Sequence, residues 1–222
     1  SCGKRRMTPL SGQVSGLRAT VAEAKPLAAE GGSMHFEPTL PIVTERLCLR
    51  PFTRGDVEAV FAYRGREDVA RFLSDEPMSR QTCAEIVAER TTQTHWTDEG
   101  DRVVLAVERQ SDHGMIGEVS LTLRSLAARQ GELGYVFHPH AQGQGFATEA
   151  ARAVMMLGFA SGGLHRIYAR CDARNTLSWR LMERLGMRRE AHFRDYALFK
   201  GGWDEELIYA ILEDEFRARQ SA

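Results

Sequence analysis

The segment that most constrains this chain is a glycine-rich turn between a strand pattern and an apolar helix pattern, at residues 134–159. Residues 135–137 read YVF, which is typical of a strand, and residues 142–147 read QGQGFA. The mostly apolar residues 147–159 indicate a buried helix. A helix that starts at such a turn presents unbonded N–H groups at its positive end, and small residues let a phosphate approach them. The sequence therefore predicts a site for a phosphorylated ligand near its centre.

Three known phosphate-binding loops can be compared with this turn. No P-loop run of glycine, four residues and Gly-Lys-Ser/Thr occurs. A dinucleotide fingerprint fits poorly, because Ala147 comes one position early and Thr148 stands where the third small residue belongs. That mismatch, and a C-terminus without alternating strands and helices, disfavours a nicotinamide enzyme. The third pattern, Gln/Arg-x-x-Gly-x-Gly/Ala, fits residues 142–147 at every defined position.

This third pattern resembles the pyrophosphate loop of the GNAT N-acetyltransferase superfamily. Residues 172–178 (DARNTLS) and 182–187 (MERLGM) are similar to two later segments of that superfamily. Residues 44–51 (TERLCLRP) and 200–204 (KGGWD) resemble its ribosomal-protein-acetyltransferase-like (Rim-type) branch. The resemblance extends in one unbroken order over about residues 43–213.

The resemblance implies an α/β fold with a mixed, mostly antiparallel central sheet flanked by helices. It also implies that two strands splay apart to admit the pantetheine arm of acetyl-coenzyme A, the expected co-substrate. The side chains and backbone expected to bind the cofactor are Val136, Phe137, His138, Gln142, Gly143, Gln144, Gly145, Phe146, Ala147, Thr148 and Asn175.

Acylation of an amine needs a proton acceptor, a donor for the oxyanion and a proton for the leaving thiolate. The resemblance suggests Glu132, at the start of the strand before the loop, as general base, with Glu118 as the alternate. It suggests Ser178, three residues past Asn175, as proton donor to the thiolate. If Asn175 caps the following helix, Ser178 lies in its first turn.

The sequence departs from the superfamily at two catalytic positions. The tyrosine that often serves as general acid is absent, since Trp179 and Leu181 stand near its place. A glutamate expected before the last hairpin is also missing, and Asp195 or Tyr196 are its nearest substitutes. We expect Trp203 in the final turn to be a packing residue.

The sequence thus predicts an N-acetyltransferase that transfers acetyl directly to a primary amine within a ternary complex. The acceptor is a protein N-terminus or a small-molecule amine, and a homodimer is left open. The alternative is a non-catalytic domain that senses acyl-coenzyme A. A net charge of −1 and the lack of a long apolar run disfavour nucleic-acid and membrane partners. We expect no metal, because His138 and His140 have no further ligands at suitable spacing.

From composition we expect a flexible N-terminal extension at residues 1–35 and one GNAT-like domain at residues 36–222. Residues 1–33 carry five basic and two acidic side chains and no apolar central region, so we expect no signal peptide. The four cysteines (Cys2, Cys48, Cys83 and Cys171) form no Cys-x-x-Cys pair, which favours a reduced, cytoplasmic protein. Cys171 is expected to be a small buried hydrophobe.

Hydrophobic periodicity and turn residues predict the order β-α-α-β-β-β-α-β-α-β-β. The predicted strands are residues 46–52, 103–108, 115–123, 132–137, 166–171, 192–199 and 206–212. The predicted helices are residues 57–64, 79–94, 147–159 and 176–185, the last ending at Gly186.

Overall fold

The fold is built on one eight-stranded sheet, seen in a computed structural model that describes residues 35–220. The strand order is β1-β2-β3-β4-β5-β6-β10-β7, and every neighbouring pair is antiparallel except β5 and β6, which are parallel. The expected fold class is therefore confirmed. The strands are β1 (Ile42–Val43), β2 (Leu47–Arg50), β3 (Arg102–Arg109), β4 (Met115–Ser125), β5 (Gln130–Phe137), β6 (Arg166–Asp172), β7 (Arg188–Phe193), β8 (Leu198–Phe199), β9 (Gly202–Trp203) and β10 (Glu206–Leu212).

Helices cover the two faces of this sheet unequally. The α-helices are α1 (Val57–Arg64), α2 (Glu67–Ala70), α3 (Arg80–Arg90), α4 (Phe146–Ala160), α5 (Thr176–Arg184) and α6 (Glu213–Gln220). Alternate residues of β3 enter two separate cores, because successive side chains of a strand point to opposite faces. Val103 and Leu105 join the larger core with α4 and α5, while Val104 and Ala106 join the smaller one with α1 and α3.

The long helix α4 lies close against the strands that carry the site. Gly158 makes this close approach feasible, since a Cβ at that position would lie 2.5 Å from Leu121 Cδ2. Ala150, Ala151, Val154 and Met155 on the same helix are almost fully buried. Burial of this apolar face fixes the start of α4, and therefore the glycine turn, relative to β5.

The parallel strands β5 and β6 separate soon after they meet. Their pairing covers only Gln130↔Arg166, Gly131↔Ile167 and Glu132↔Tyr168. Beyond it, residues 133–137 still pair with β4, and residues 169–172 still pair with β10. The facing edges of β5 and β6 thus diverge into an open cleft, as the resemblance implies.

The C-terminal region differs from the prediction. Residues 192–199 do not form one strand: β7 begins at Arg188 and pairs with β10 inside the main sheet. The Gly-Gly turn joins β8 and β9 in a separate two-stranded hairpin. A charged start, Arg188 to Glu190, concealed β7, because edge strands tolerate exposed charges.

The remaining predicted elements are found within a few residues of their expected bounds, and α5 ends before Gly186, whose φ is +88°. The sequence missed the short β1 and α2 and the terminal α6. The predicted N-terminal extension lies outside the described residues except for His35. Across residues 35–220, none of the helices combines the length and the apolar character needed to cross a membrane.

Candidate active site

The glycine turn at the start of α4 has the backbone geometry of an anion site. Gly143 and Gly145 adopt φ values of +73° and +81°, which side-chain-bearing residues rarely adopt, and Gly145 is the N-cap of α4. Among residues 35–220, no hydrogen bond uses the backbone N–H groups of residues 143–148. Six consecutive free donors at a helix N-terminus can bind a pyrophosphate.

Arg46, which precedes β2, supports this turn from the side. Its Nη1 donates to the Gln144 carbonyl at 3.0 Å, and its Nε donates to Glu149 Oε2 at 2.7 Å. Burial alone would raise the pKa of Glu149, but hydrogen bonds from Thr44 and Arg46 lower it. The guanidinium carbon also lies 4.6 Å from the centre of the Phe146 ring. A residue almost a hundred positions away thus fixes the turn.

A cavity of about 810 Å³ extends from this turn into the cleft between β5 and β6. Most predicted site residues line it: Glu132, Val136, Phe137, Gln142, Gly143, Gly145, Ala147, Thr148, Asn175 and Ser178. Three others do not. The Gln144 side chain donates to the His140 carbonyl at 2.7 Å, Phe146 is buried, and His138 Nδ1 accepts from the His140 N–H at 3.1 Å.

Ser178 lies in the first turn of α5, as predicted, and lines the cavity wall. Asn175 Oδ1 accepts from the Ser178 N–H at 3.2 Å, so Asn175 is the predicted cap. Ser178 Oγ lies 2.8 Å from the hydroxyl of Tyr135 on β5. Burial raises the pKa of Tyr135 well above its ordinary range, although the bond to Ser178 opposes this. The two hydroxyls therefore form a neutral hydrogen-bonded pair.

Cys171 at the end of β6 belongs to the same group. It is half-buried and lines the cavity, so its expected place in the core is only partly correct. Burial raises the pKa of its thiol to about 11, with a hydrogen bond to Ser178 acting in the opposite direction. A thiol that stays protonated near neutral pH is a poor nucleophile.

Glu132 is the last residue of β5 that pairs with β6, and the cleft opens beyond it. Its Oε2 accepts from Arg124 Nε at 2.7 Å and from the Tyr168 hydroxyl at 3.3 Å. Its Oε1 accepts from Arg170 Nε at 3.1 Å. Both oxygens thus have cationic partners, while 16% of the side chain remains exposed.

Glu118 on β4 is also bound by two arginines, but it is buried deeper. It pairs with Arg64 from α1 and Arg90 from α3, and it accepts from the Tyr63 hydroxyl at 2.8 Å. Burial alone would raise the pKa of Glu118, but Arg64 and Arg90 lower it below the ordinary range. A carboxylate this strongly paired is a poor proton acceptor, which favours a structural role over that of alternate base.

The hairpin β8–β9 is connected to the segment around α2 on one side of the cleft. Lys200 Nζ donates to the carbonyls of Ala70 and Asp75, both at 2.8 Å. Asp68, Val69, Phe72 and Leu73 of that segment line the cavity. The Lys200 contacts therefore fix one wall of the cavity.

Other residues singled out in the sequence lie outside this cavity. Tyr196 is 58% exposed and lines a shallow depression that adjoins the cavity at Glu132 and Arg170, and Asp195 precedes it with a positive φ. Trp203 is 61% exposed, so its prediction as a packing residue is wrong. Within residues 35–220, no group of three or more His, Cys, Asp or Glu side chains is arranged to hold a metal ion.

Comparison with known proteins decides the family. The acetyltransferase (GNAT) domain family matches residues 46–188. The uncharacterised N-acetyltransferase YnaD of Bacillus subtilis is 31% identical over 176 residues, which cover 79% of this chain and 98% of that protein. The chain belongs to the GNAT acetyltransferase family. It is an enzyme of the acetyl-CoA-dependent N-acetyltransferase class, and the matched proteins give no support to a non-catalytic sensor.

Further relatives place this acetyltransferase near the predicted branch. The [ribosomal protein uS5]-alanine N-acetyltransferase of Escherichia coli is 33% identical over 79 residues, covering 36% of this chain and 41% of that enzyme. A GNAT acetyltransferase crystal structure from Bacillus anthracis superposes with a TM-score of 0.70 at 31% identity, covering 79% and 99% of the two chains. Spermidine N-acetyltransferase from Vibrio cholerae, solved with CoA and spermine, shares the fold with a TM-score of 0.67 at 22% identity, covering 78% and 99%.

Several residues at the site of this acetyltransferase were not identified from the sequence. Tyr135 was interpreted only as part of a strand, and Arg46 only as part of a family-like segment. Arg64 and Arg90 are the last residues of α1 and α3. A basic residue in the last turn of a helix is common, because it interacts favourably with the helix dipole, so neither one indicated a site. Glu118 was the one sequence signal that could have pointed to these arginines, because a lone carboxylate inside an apolar strand needs a buried partner.

Proposed function

We propose that this enzyme transfers the acetyl group of acetyl-coenzyme A directly to a primary amine, in a ternary complex of both substrates. The observation that carries this proposal is the row of six free N–H groups at residues 143–148, at the mouth of the cleft between β5 and β6. The acceptor is a small-molecule amine or a protein N-terminus.

The cofactor is proposed to bind with its pyrophosphate on the glycine turn. The pantetheine arm then lies between the diverging strands, where residues 133–137 and 169–172 have backbone groups without a partner strand. Its amides can pair with these groups as another strand would. Asn175 and Ser178 line the same cavity, so the thioester comes near Ser178.

The chemistry needs a neutral amine. Its lone pair attacks the thioester carbonyl carbon, and the resulting oxyanion accepts from a backbone N–H on the open edge of β5. The C–S bond then breaks, and the electron pair leaves with sulfur. Ser178 gives its proton to that thiolate, and Tyr135, 2.8 Å away, orients the hydroxyl and re-supplies the proton.

Glu132 is the proposed proton acceptor for the amine. It lines the cavity where the strands separate, and part of its side chain is exposed. Its arginine partners orient the carboxylate, and a proton can reach it directly or through water. The Glu132→Gln variant is expected to lower turnover by about 10²–10⁴-fold.

Ligand binding tests the cofactor assignment. Acetyl-coenzyme A and coenzyme A should raise the melting temperature, whereas NAD should not, because a ligand that binds only the folded state stabilises it. Equal stabilisation by NAD would contradict the assignment. Thiol release with a library of primary amines then tests catalysis.

A serine pair tests the proton donor. Ser178→Ala should lower turnover by about 10²-fold or more while the affinity for acetyl-coenzyme A changes only a few-fold. Ser161→Ala, at the end of α4 and outside the cavity, is the matched control. Weakened cofactor binding with normal turnover in Ser178→Ala would mean that Ser178 only supports the helix start.

A further inference from the structure

Arg64 has hydrogen-bonding capacity that the described residues do not use. This last residue of α1 is 8% exposed and lines the cavity. Its Nη2 binds Glu118, but Nη1 has only a distant carboxylate, Asp75, at 3.6 Å. Its buried Nε has no partner within residues 35–220. Buried guanidinium donors are normally bonded, so Arg64 has unused capacity to bind an oxygen-bearing group.

The carboxylates of the same cavity are already engaged. Asp68 accepts from Arg66 Nε at 2.8 Å, and Glu118 and Glu132 each bind two arginines. Among the described residues that line the cavity, these are the three carboxylates, and each has an arginine. The wall therefore offers spare cationic donors rather than spare anions.

From this arrangement, and resting on the function proposed above, we propose that the acceptor amine carries a carboxylate, as a free amino acid does, and that Arg64 binds that carboxylate. A planar guanidinium matches a carboxylate with two parallel N–H···O bonds. The spare Nη1 supplies one donor. Nη2 supplies the other, because it carries a second N–H beside the one that Glu118 accepts.

The same charges act against a polyamine acceptor. A polyamine that binds with one amine neutral still brings one or more ammonium groups, and these need free carboxylates close by. Here they would meet the guanidinium groups of Arg64 and Arg170 instead. Neighbouring cations also favour the neutral form of the reacting amine, which is the form that attacks.

Matched acceptors on the unaltered full chain test this proposal. Thiol release from acetyl-coenzyme A is measured with the protein amino acids, with the corresponding amino-acid amides, and with spermidine, at equal concentrations of neutral amine. The proposal expects at least one amino acid to exceed its amide by about 10- to 100-fold in kcat/KM, the value of a charge-assisted hydrogen-bond pair.

The outcomes distinguish a failure of the carboxylate proposal from a failure of the proposed acetyl transfer to an amine. Faster turnover of amides or spermidine than of every amino acid would overturn the carboxylate proposal and leave the acetyltransferase function standing. If acetyl-coenzyme A binds but no thiol is released with these amines, with a wider amine library or with N-terminal peptides, both proposals are overturned.

A variant pair assigns the effect to Arg64. Arg64→Gln should raise KM for the preferred amino acid by about 10-fold or more, leave KM for its amide unchanged, and leave KM for acetyl-coenzyme A within a few-fold. Arg64→Lys keeps the charge for Glu118 and loses the fork, so it should show the same selectivity change if Arg64→Gln folds poorly. Arg80→Gln, which removes an exposed arginine outside the cavity, is the control. Equal KM increases for acid and amide would overturn the role of Arg64.

Discussion

The two ends of the cavity are built in different ways. The cofactor end is a run of adjacent residues, 142–148, in which the backbone donors of residues 143–148 have no partner among the described residues. The acceptor end is a set of side chains from five elements, in which Arg64 and Arg90 pair with Glu118, and Arg170 pairs with Glu132. The backbone donors of the first end are free to bind the ligand, whereas most charged side chains of the second end pair with one another in the folded protein. Damage to the first should therefore affect binding, and damage to the second should affect stability.

The largest expected effect is on stability at the acceptor end. Glu118→Gln leaves the buried Arg64 and the half-buried Arg90 without their carboxylate, which should lower the free energy of unfolding by about 3–5 kcal/mol at pH 7. The matched control is Glu132→Gln, since Glu132 also binds two arginines but is partly exposed and should contribute less. Urea unfolding measures the free energy of unfolding of both variants. Equal losses would contradict the larger contribution expected from the buried carboxylate.

The pH dependence sharpens this result. The pKa of Glu118 is lowered in the folded protein, so its ion pairs contribute fully above the unfolded value of about 4.3. Their contribution is lost as the pH falls through the lowered folded value. The stability difference between the wild type and Glu118→Gln should therefore shrink as the pH is lowered below about 4.

The next effect is on binding at the cofactor end. Gly145→Asp adds a Cβ at a φ of +81° and a negative charge where the phosphates would bind, so affinity for coenzyme A should fall by about 100-fold or more. Gly100→Asp introduces the same side chain at a φ of +98°, with open space around it and outside the cavity. Calorimetry should show normal binding for this control, and similar losses in both variants would point to general strain.

A smaller effect is expected between the two ends, at Tyr135. Tyr135→Phe removes the hydroxyl that lies 2.8 Å from Ser178 Oγ, and turnover should fall by about 10-fold while KM for acetyl-coenzyme A changes little. Steady-state kinetics measure both constants. If turnover stays normal, Ser178 needs no orienting partner and the proposed relay is wrong.

The smallest effect is expected at Lys200, which holds the α2 segment of the cavity wall. Lys200→Ala removes two hydrogen bonds that hold the segment around α2, so KM for the acceptor should rise by about 3- to 10-fold. KM for acetyl-coenzyme A should stay unchanged, because the cofactor end has no contact with Lys200. Parallel changes in both constants would show that the two ends are not independent.

The same difference explains what could be predicted from the sequence. The glycine turn, the Asn175 cap and the burial of α4 depend on neighbouring residues, so spacing and residue type were sufficient. The partners of Glu118 lie 54 and 28 residues away in α1 and α3, and no local pattern connects them. The C-terminal strands were misplaced for a related reason: β10 pairs with both β6 and β7, and long-range pairing, not the Gly-Gly turn, set their register.

The separation of β5 and β6 has a mechanical consequence. Within the described sheet, three residue pairs join the half-sheet β1–β5 to the half-sheet β6, β10 and β7. Apart from the two pairs between the edge strand β1 and β2, this is the shortest ladder in the sheet, and a bound cofactor would bridge the two halves along it. The cofactor binds and leaves once in each catalytic cycle. Turnover would then be coupled to a small relative motion of the two halves of the sheet.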